Sequence, residues 1–133
     1  MRREEKALNI AKYVVEVAYQ QCKPISNLKL QGILYFLWNE YYKETGKYLF
    51  YENFYAWSIG PVVPEVYYFY CPWAGTPIMA MDKAEYYPAF GWIGKKLDEY
   101  LTRPLQYFLQ YGQKENPAWS RVWNGGAAQA RGG

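Results

Sequence analysis

Apolar side chains near the start of the chain recur with a helical period. Leu8, Ala11, Val15, Ala18 and Cys22 are separated by three or four residues, which gathers them into one stripe on a helix of about 3.6 residues per turn. Ile10, Val14 and Val17 widen that stripe, so burial on more than one side is expected. Glu4 and Glu5 stand near the start, where the helix dipole favours negative charge. Lys23-Pro24 ends the helix, because the residue before a proline is driven out of the helical region. A second stripe follows in Leu30, Leu34, Leu37 and Tyr41, with Ile33 and Trp38 beside it. Ser26 is placed to cap this helix at its start and Gly46 to close it. Gly32 in its interior costs on the order of 1 kcal/mol against alanine. The expected reason is close approach of the first helix, with its small Ala11 and Ala18. The two helices then form an antiparallel hairpin joined by a short proline-containing turn.

From residue 48 the period changes. Aromatic and β-branched residues alternate through residues 48–58, which predicts a short strand around residues 54–58. Gly60-Pro61 is expected to stop it. Pro64 suits the first position of a third helix, where its missing N–H is no loss, and Glu65 then lies in the favoured first turn. Cys71-Pro72 ends that helix. Residues 72–91 read as a loop with one brief strand at 77–80. A helix resumes near Ile93 and runs through Leu97 and Leu101; Pro104 restarts or kinks it, and Leu105, Phe108 and Leu109 continue an apolar face. Asn116-Pro117 opens a last short helix with Trp119 inward. Residues 125–133, rich in Gly and Ala, read as a frayed tail. The expected architecture is mainly α: a single compact helical domain over residues 1–124 with a small β element.

Composition changes this picture in one respect. The 133 residues fit one domain, and 51% hydrophobic content can fill its core. With 6 Trp, 16 Tyr and 6 Phe, however, the chain holds more rings than such a core can enclose together with their polar tips. Some must reach the surface, where Tyr and Trp favour interfaces. The run Tyr67–Trp73 is the sharpest candidate. Tyr67, Tyr68, Tyr70 and Trp73 read either as partner contacts or as core, and Lys29 and Gln31, which face away from the Leu30 stripe, as contact or plain surface. Gly60-Pro61-Val62-Val63-Pro64-Glu65-Val66-Tyr67 reads first as a folding signature that packs the strand end against the third helix, its prolines locking that corner; Ser26, Leu30, Trp57 and Trp119 read with it as structural motif residues.

Catalysis is not expected. The chain has no histidine, which removes the commonest general base and metal ligand. Asp98 and Glu99 are adjacent on a helix and splay apart, and Glu40 and Glu44 fall on a wet face, so neither pair reads as acids held about 5–10 Å apart in a cleft. No P-loop, dinucleotide fingerprint or nucleophile elbow occurs. No cofactor or metal is expected. Net charge is +3 with the signs mixed along the chain, which argues against nucleic acid as a partner. Cys22 and Cys71 read as reduced, partly buried thiols. With no leader-like or spanning run, the expected setting is the cytoplasm, away from membranes.

Several strings together resemble a known family. Ser26-Asn27-Leu28-Lys29-Leu30-Gln31, Leu34-Tyr35, Gly46, Leu49-Phe50, Ala56-Trp57, the Gly60–Tyr67 segment and Asn116-Pro117-Ala118-Trp119 look like the Panacea domain. This is the SocA-like antitoxin family, which includes phage-associated GepA-type proteins, and the resemblance covers roughly residues 5 to 124. It implies a mostly helical domain with a small β-ribbon. It also implies an antitoxin that neutralises a cognate toxin, encoded by a neighbouring gene, through direct protein–protein binding. Alternatives within its reach are a proteolytic adaptor that hands the toxin to a protease, and a phage-encoded regulatory or DNA-binding protein. The chain departs from the family pattern at Tyr68-Phe69-Tyr70-Cys71-Pro72-Trp73, where polar or charged residues often stand, and at Tyr111-Gly112-Gln113, where a Thr-His-like element is common.

Overall fold

In the computed structural model, which describes residues 6–79 and 82–109, the chain folds around its second helix. The first helix, α1 (Ala7–Gln20), buries Ile10, Ala11, Val14, Val15 and Ala18. Lys6 at its N-cap makes no side-chain cap. Instead the Ala7 N–H donates to Glu52 Oε1 from a distant loop, at 3.0 Å, so an anion sits where the dipole favours one. The acids at 4 and 5, expected to do this, lie outside the described residues. α1 stops before Lys23-Pro24. Lys23 N–H donates to Ala18 O at 2.8 Å and Cys22 N–H to Tyr19 O at 3.0 Å, the Schellman pattern, with Cys22 in the left-handed position at φ 59°. Cys22 therefore lies past the helix rather than on its stripe, and both it and Cys71 are exposed free thiols, not partly buried ones.

α2 (Asn27–Thr45) begins at Ser26, whose hydroxyl accepts the Lys29 N–H at 3.2 Å, and ends at Gly46 with φ 72°. Leu30, Ile33, Leu34, Tyr35, Phe36 and Leu37 are all buried. Near-continuous burial marks a helix enclosed on most sides, and α2 packs against α1, the second strand and all three later helices among the described residues. Gly32 has a different partner from the one expected. A Cβ there would stand 2.5 Å from Phe108 Cβ, so it is the helix that carries Phe108, not the first, that lies against the glycine.

Two strands form a ribbon, β1 (Tyr55–Trp57) and β2 (Gly60–Val62), paired antiparallel with Tyr55 opposite Val62, Ala56 opposite Pro61 and Trp57 opposite Gly60. Gly60-Pro61 thus starts a second strand instead of ending the first. Gly60 has φ 119°, a conformation side chains resist, and Pro61 is tolerated because a two-stranded ribbon leaves outward N–H positions unused. Next come α3 (Pro64–Phe69), with Pro64 at its first turn and Glu65 beside it, and a 3₁₀ turn over Cys71–Trp73. Residues 77–79 are not a strand; Ile78 is buried and its N–H donates to Ile25 O at 2.8 Å. Asn9 ties the following loop to α1, donating to Glu85 O at 2.9 Å and accepting from Glu85 N–H at 2.8 Å.

α4 (Phe90–Tyr100) starts three residues before Ile93 and packs on α1, where Tyr13 and Phe90 stack at 4.0 Å between centroids. Burial, with Glu16 nearby, pushes the Tyr13 phenol pKa up. After Pro104, α5 (Leu105–Leu109) drops Phe108 against Gly32 and Phe36. The architecture is mainly helical, five α-helices among the described residues with one small antiparallel sheet. No described helix is long and apolar enough to cross a membrane. The predicted last helix with Trp119, and the tail over 125–133, lie outside the described residues.

Candidate interaction face

The β-ribbon and α3 meet at a corner that α2 holds from inside. Gln31, which is 1% exposed, accepts the Val63 N–H at Oε1 (3.0 Å) and donates from Nε2 to Asn27 Oδ1 (3.1 Å). Asn27, also buried, donates from Nδ2 to Tyr67 O at 3.0 Å. Val63 is the N-cap residue of α3 and Tyr67 lies in its last turn. Two amides one turn apart on α2 therefore bracket both ends of α3. Each such bond is worth about 0.5–1.5 kcal/mol net, but an unanswered buried group costs about 1–3 kcal/mol. Sequence reading placed Gln31 on a contact surface; burial and these bonds correct that. The signal that was missed is the four-residue spacing of Asn27 and Gln31, which puts both amides on one face of a largely enclosed helix.

What this corner shows to solvent is aromatic. Tyr68 is 62% exposed and Phe69 41%. Trp57 of β1 lies edge-on to Tyr67 at 5.3 Å and tilted to Tyr68 at 5.9 Å. Lys12 of α1 holds its ammonium over the Phe69 ring, 5.3 Å from the centroid. Tyr67 and Trp73 are half-buried, whereas Tyr70 is 1% exposed. Tyr70 is therefore an anchor of α3 and not a contact, a second correction. Burial, with Asp82 nearby, pushes its phenol well above the ordinary tyrosine pKa. Phe69, not singled out in the sequence, joins the face because a helix that buries Val66 and Tyr70 turns 68 and 69 outward.

Lys29 is also placed differently from a free surface cation. It is half-buried, and its ammonium donates to Leu101 O at 3.3 Å, closing the C-terminal end of α4. Burial, and Lys23 nearby, push its pKa down. Leu30 is fully buried, Gly60 and Pro61 are buried in β2, and Glu65 is exposed. A second group of exposed rings lies at the far end of α2, where Tyr48 stacks on Trp38 at 5.8 Å and on Tyr42 at 5.2 Å.

Two donors in the corner have no partner among the described residues: the Trp57 indole N–H and the Tyr70 hydroxyl. Such groups are uncommon in folded proteins and mark places where local stability is spent on something else. Among the described residues no group of three or more Cys, Asp and Glu is placed to hold a metal ion.

A family model described as antitoxin SocA-like, Panacea domain, matches residues 30–101. The chain belongs to this family. The match spans more than half the chain and includes most of α2, the ribbon, α3 and α4. It thus contains the whole aromatic face and Gln31, while Asn27 lies just before it. No curated protein and no solved structure matches the chain.

Proposed function

We propose that this Panacea domain is an antitoxin that binds a cognate toxin protein directly through the face built by Trp57, Tyr67, Tyr68 and Phe69. Family membership supports the general role of holding a protein partner. The observation that carries the surface is Tyr68, a large ring 62% exposed at the centre of a ring cluster. Tyr and Trp make large contacts with little rotamer entropy to lose, and they recur as interface hot spots. Inhibition on this reading is stoichiometric and needs neither catalysis nor a cofactor. It takes place in the cytoplasm, where the toxin is made.

The test is co-expression with the product of the adjacent gene. Wild-type protein is expected to rescue growth and to co-purify with the toxin as a defined complex. Tyr68→Ala should leave folding stability within about 0.5 kcal/mol, as is usual for surface positions, yet weaken the complex by about 2 kcal/mol or more. Full rescue by Tyr68→Ala, or by the Trp57→Ala and Phe69→Ala variants at intact fold, would remove this face from the account. Rescue with a shortened toxin half-life and no stable complex would select the adaptor role. A salt-sensitive, sequence-dependent shift of DNA would select the regulator.

A further inference from the structure

α3 is six residues long, too short to keep helical shape without outside help. Val66 is its only buried residue, with Tyr70 anchoring just beyond. Its backbone is nevertheless tied at both ends to α2 by one continuous relay. The Val63 N–H reaches Gln31, Gln31 reaches Asn27, and Asn27 reaches the Tyr67 carbonyl, at 3.0, 3.1 and 3.0 Å. The face that α3 carries sits beside two unanswered donors, Trp57 Nε1 and Tyr70 Oη. The corner thus combines a short helix, unsatisfied neighbours and a buried polar bracket.

Resting on the docking role proposed above, we infer that Asn27 and Gln31 are positioning residues for the toxin-binding face. They hold α3 in its docking shape before the partner arrives. Without them α3 opens locally and the partner must order it, which subtracts directly from affinity. Neither amide touches the partner; both act through the backbone of α3. An apolar side chain at 31 could fill the same volume but would leave the Val63 N–H unanswered. The pairing of an amide at 27 with an amide at 31 is what a bracket needs, since one must donate to a carbonyl and the other accept from an N–H.

The experiment compares Gln31→Met, which keeps volume and removes both bonds, with Asn27→Leu, which removes the tie to the Tyr67 carbonyl and leaves Gln31 to accept from the Val63 N–H. Amide hydrogen exchange is read at Val66, Tyr67 and Tyr70, whose N–H groups bond within the α3 turn, and in α1 and α4 as internal references. Gln31→Met should speed exchange in α3 by about ten-fold or more while the references keep wild-type rates. Asn27→Leu, which keeps one of the two ties to α3, should fall between. Affinity for the co-purified product of the adjacent gene should drop by about ten-fold or more for Gln31→Met, with Asn27→Leu again intermediate. Unchanged α3 exchange overturns the inference. So does uniform acceleration across α1 and α4, which would make the amides plain scaffold, and so does wild-type affinity with a loosened α3. If Gln31→Met does not fold, Asn27→Leu decides on the same readouts. A wild-type protein that binds no toxin sinks the docking role instead, and the exchange pattern then still shows whether the amides hold α3.

Discussion

Trp92 and Trp57 are both half-buried, yet only one of them has its indole N–H answered. Trp92 donates to Glu44 Oε1 at 2.9 Å, Lys96 pairs with the other carboxylate oxygen at 3.0 Å, and the same ammonium lies over the Trp92 ring at 5.4 Å. Around this seam between α2, α4 and α5, rings meet rings: Phe36 packs edge-on to Tyr100 and Phe108, and Arg103 both covers Tyr107 and pairs with Glu99. Trp57, in the corner made by the ribbon and α3, has no acceptor among the described residues, nor has the Tyr70 hydroxyl a partner there. Of the two non-glycine residues with positive φ among those described, Ala74 follows the 3₁₀ turn that leaves that corner, and Cys22 closes α1. One region completes its chemistry internally and so serves stability. The other leaves rings outward, donors unanswered and backbone strained, which is the pattern of a surface kept for a partner.

The contrast is broken most forcefully by truncating one ring on each side. Phe36→Ala removes the hub of the seam and should cost about 3–5 kcal/mol of global stability, read as a shifted urea midpoint with cooperative unfolding retained. Tyr68→Ala in the corner should barely move that midpoint. Equal effects on stability would dissolve the distinction between the regions.

Next in size is Gly32→Ala, at the place where seam and corner meet. A groove lined by Gln31, Gly32, Ile59, Gly60, Pro61 and Phe108 runs between them. Alanine gains up to about 1 kcal/mol of helix propensity, but its Cβ would stand 2.5 Å from Phe108 Cβ. That atom is next to the backbone, so α5 must move. Overpacking of this kind costs about 1–3 kcal/mol, and a net loss is expected in thermal unfolding. A net gain in stability would mean that α5 does not rest on Gly32.

Legibility in the sequence follows the same division. Helical stripes, the Ser26 cap, the Gly46 stop and Pro64 at a helix start could all be read, because each depends on residues near one another in the chain. The ribbon was half visible: Tyr55–Trp57 shows β character, but Gly60-Pro61 looks like a terminator until its pairing partner is known. What closes Gly32 could not be read, since Phe108 lies 76 positions away in sequence. Nor could the roles of Gln31 and Lys29. A polar residue on a helix looks solvent-facing until distant backbone, Val63 in one case and Leu101 in the other, arrives to use it. For the face, abundance of rings announced exposure without saying which rings; burial of Val66 and Tyr70 decides that Tyr68 and Phe69 are outside.

Relief of strain at the end of α1, outside both regions, is a smaller effect of opposite sign. Cys22 occupies the left-handed position after α1 at φ 59°, where a Cβ crowds the following carbonyl at a cost of about 1–2 kcal/mol. Glycine removes that crowding but adds freedom to the unfolded chain, worth about 0.4–1 kcal/mol. Cys22→Gly should therefore raise stability by about 0.5 kcal/mol and leave the affinity of the proposed complex unchanged. Measurable destabilisation would show that the Schellman turn is not held at Cys22 in solution.

The smallest effect belongs to the seam and is visible only as a pH dependence. The Glu44 carboxyl is held below the ordinary glutamate pKa, first by the hydrogen bond from Trp92 and then by Lys96. A depressed acid contributes stability above its unfolded pKa, near 4.3, and that contribution disappears as pH falls through the lower folded value. Glu44→Gln abolishes the titration. The melting temperature of wild type should therefore exceed that of Glu44→Gln at pH 7, and the gap should close as the solution is acidified below about pH 4. Because Glu44 is exposed and Lys96 only partly buried, salt on the order of 1 M should narrow the gap at neutral pH as well. A gap that stays constant from neutral to acid pH would mean that Trp92 and Lys96 do not hold the Glu44 carboxylate, and the seam would then be no more internally satisfied than the corner.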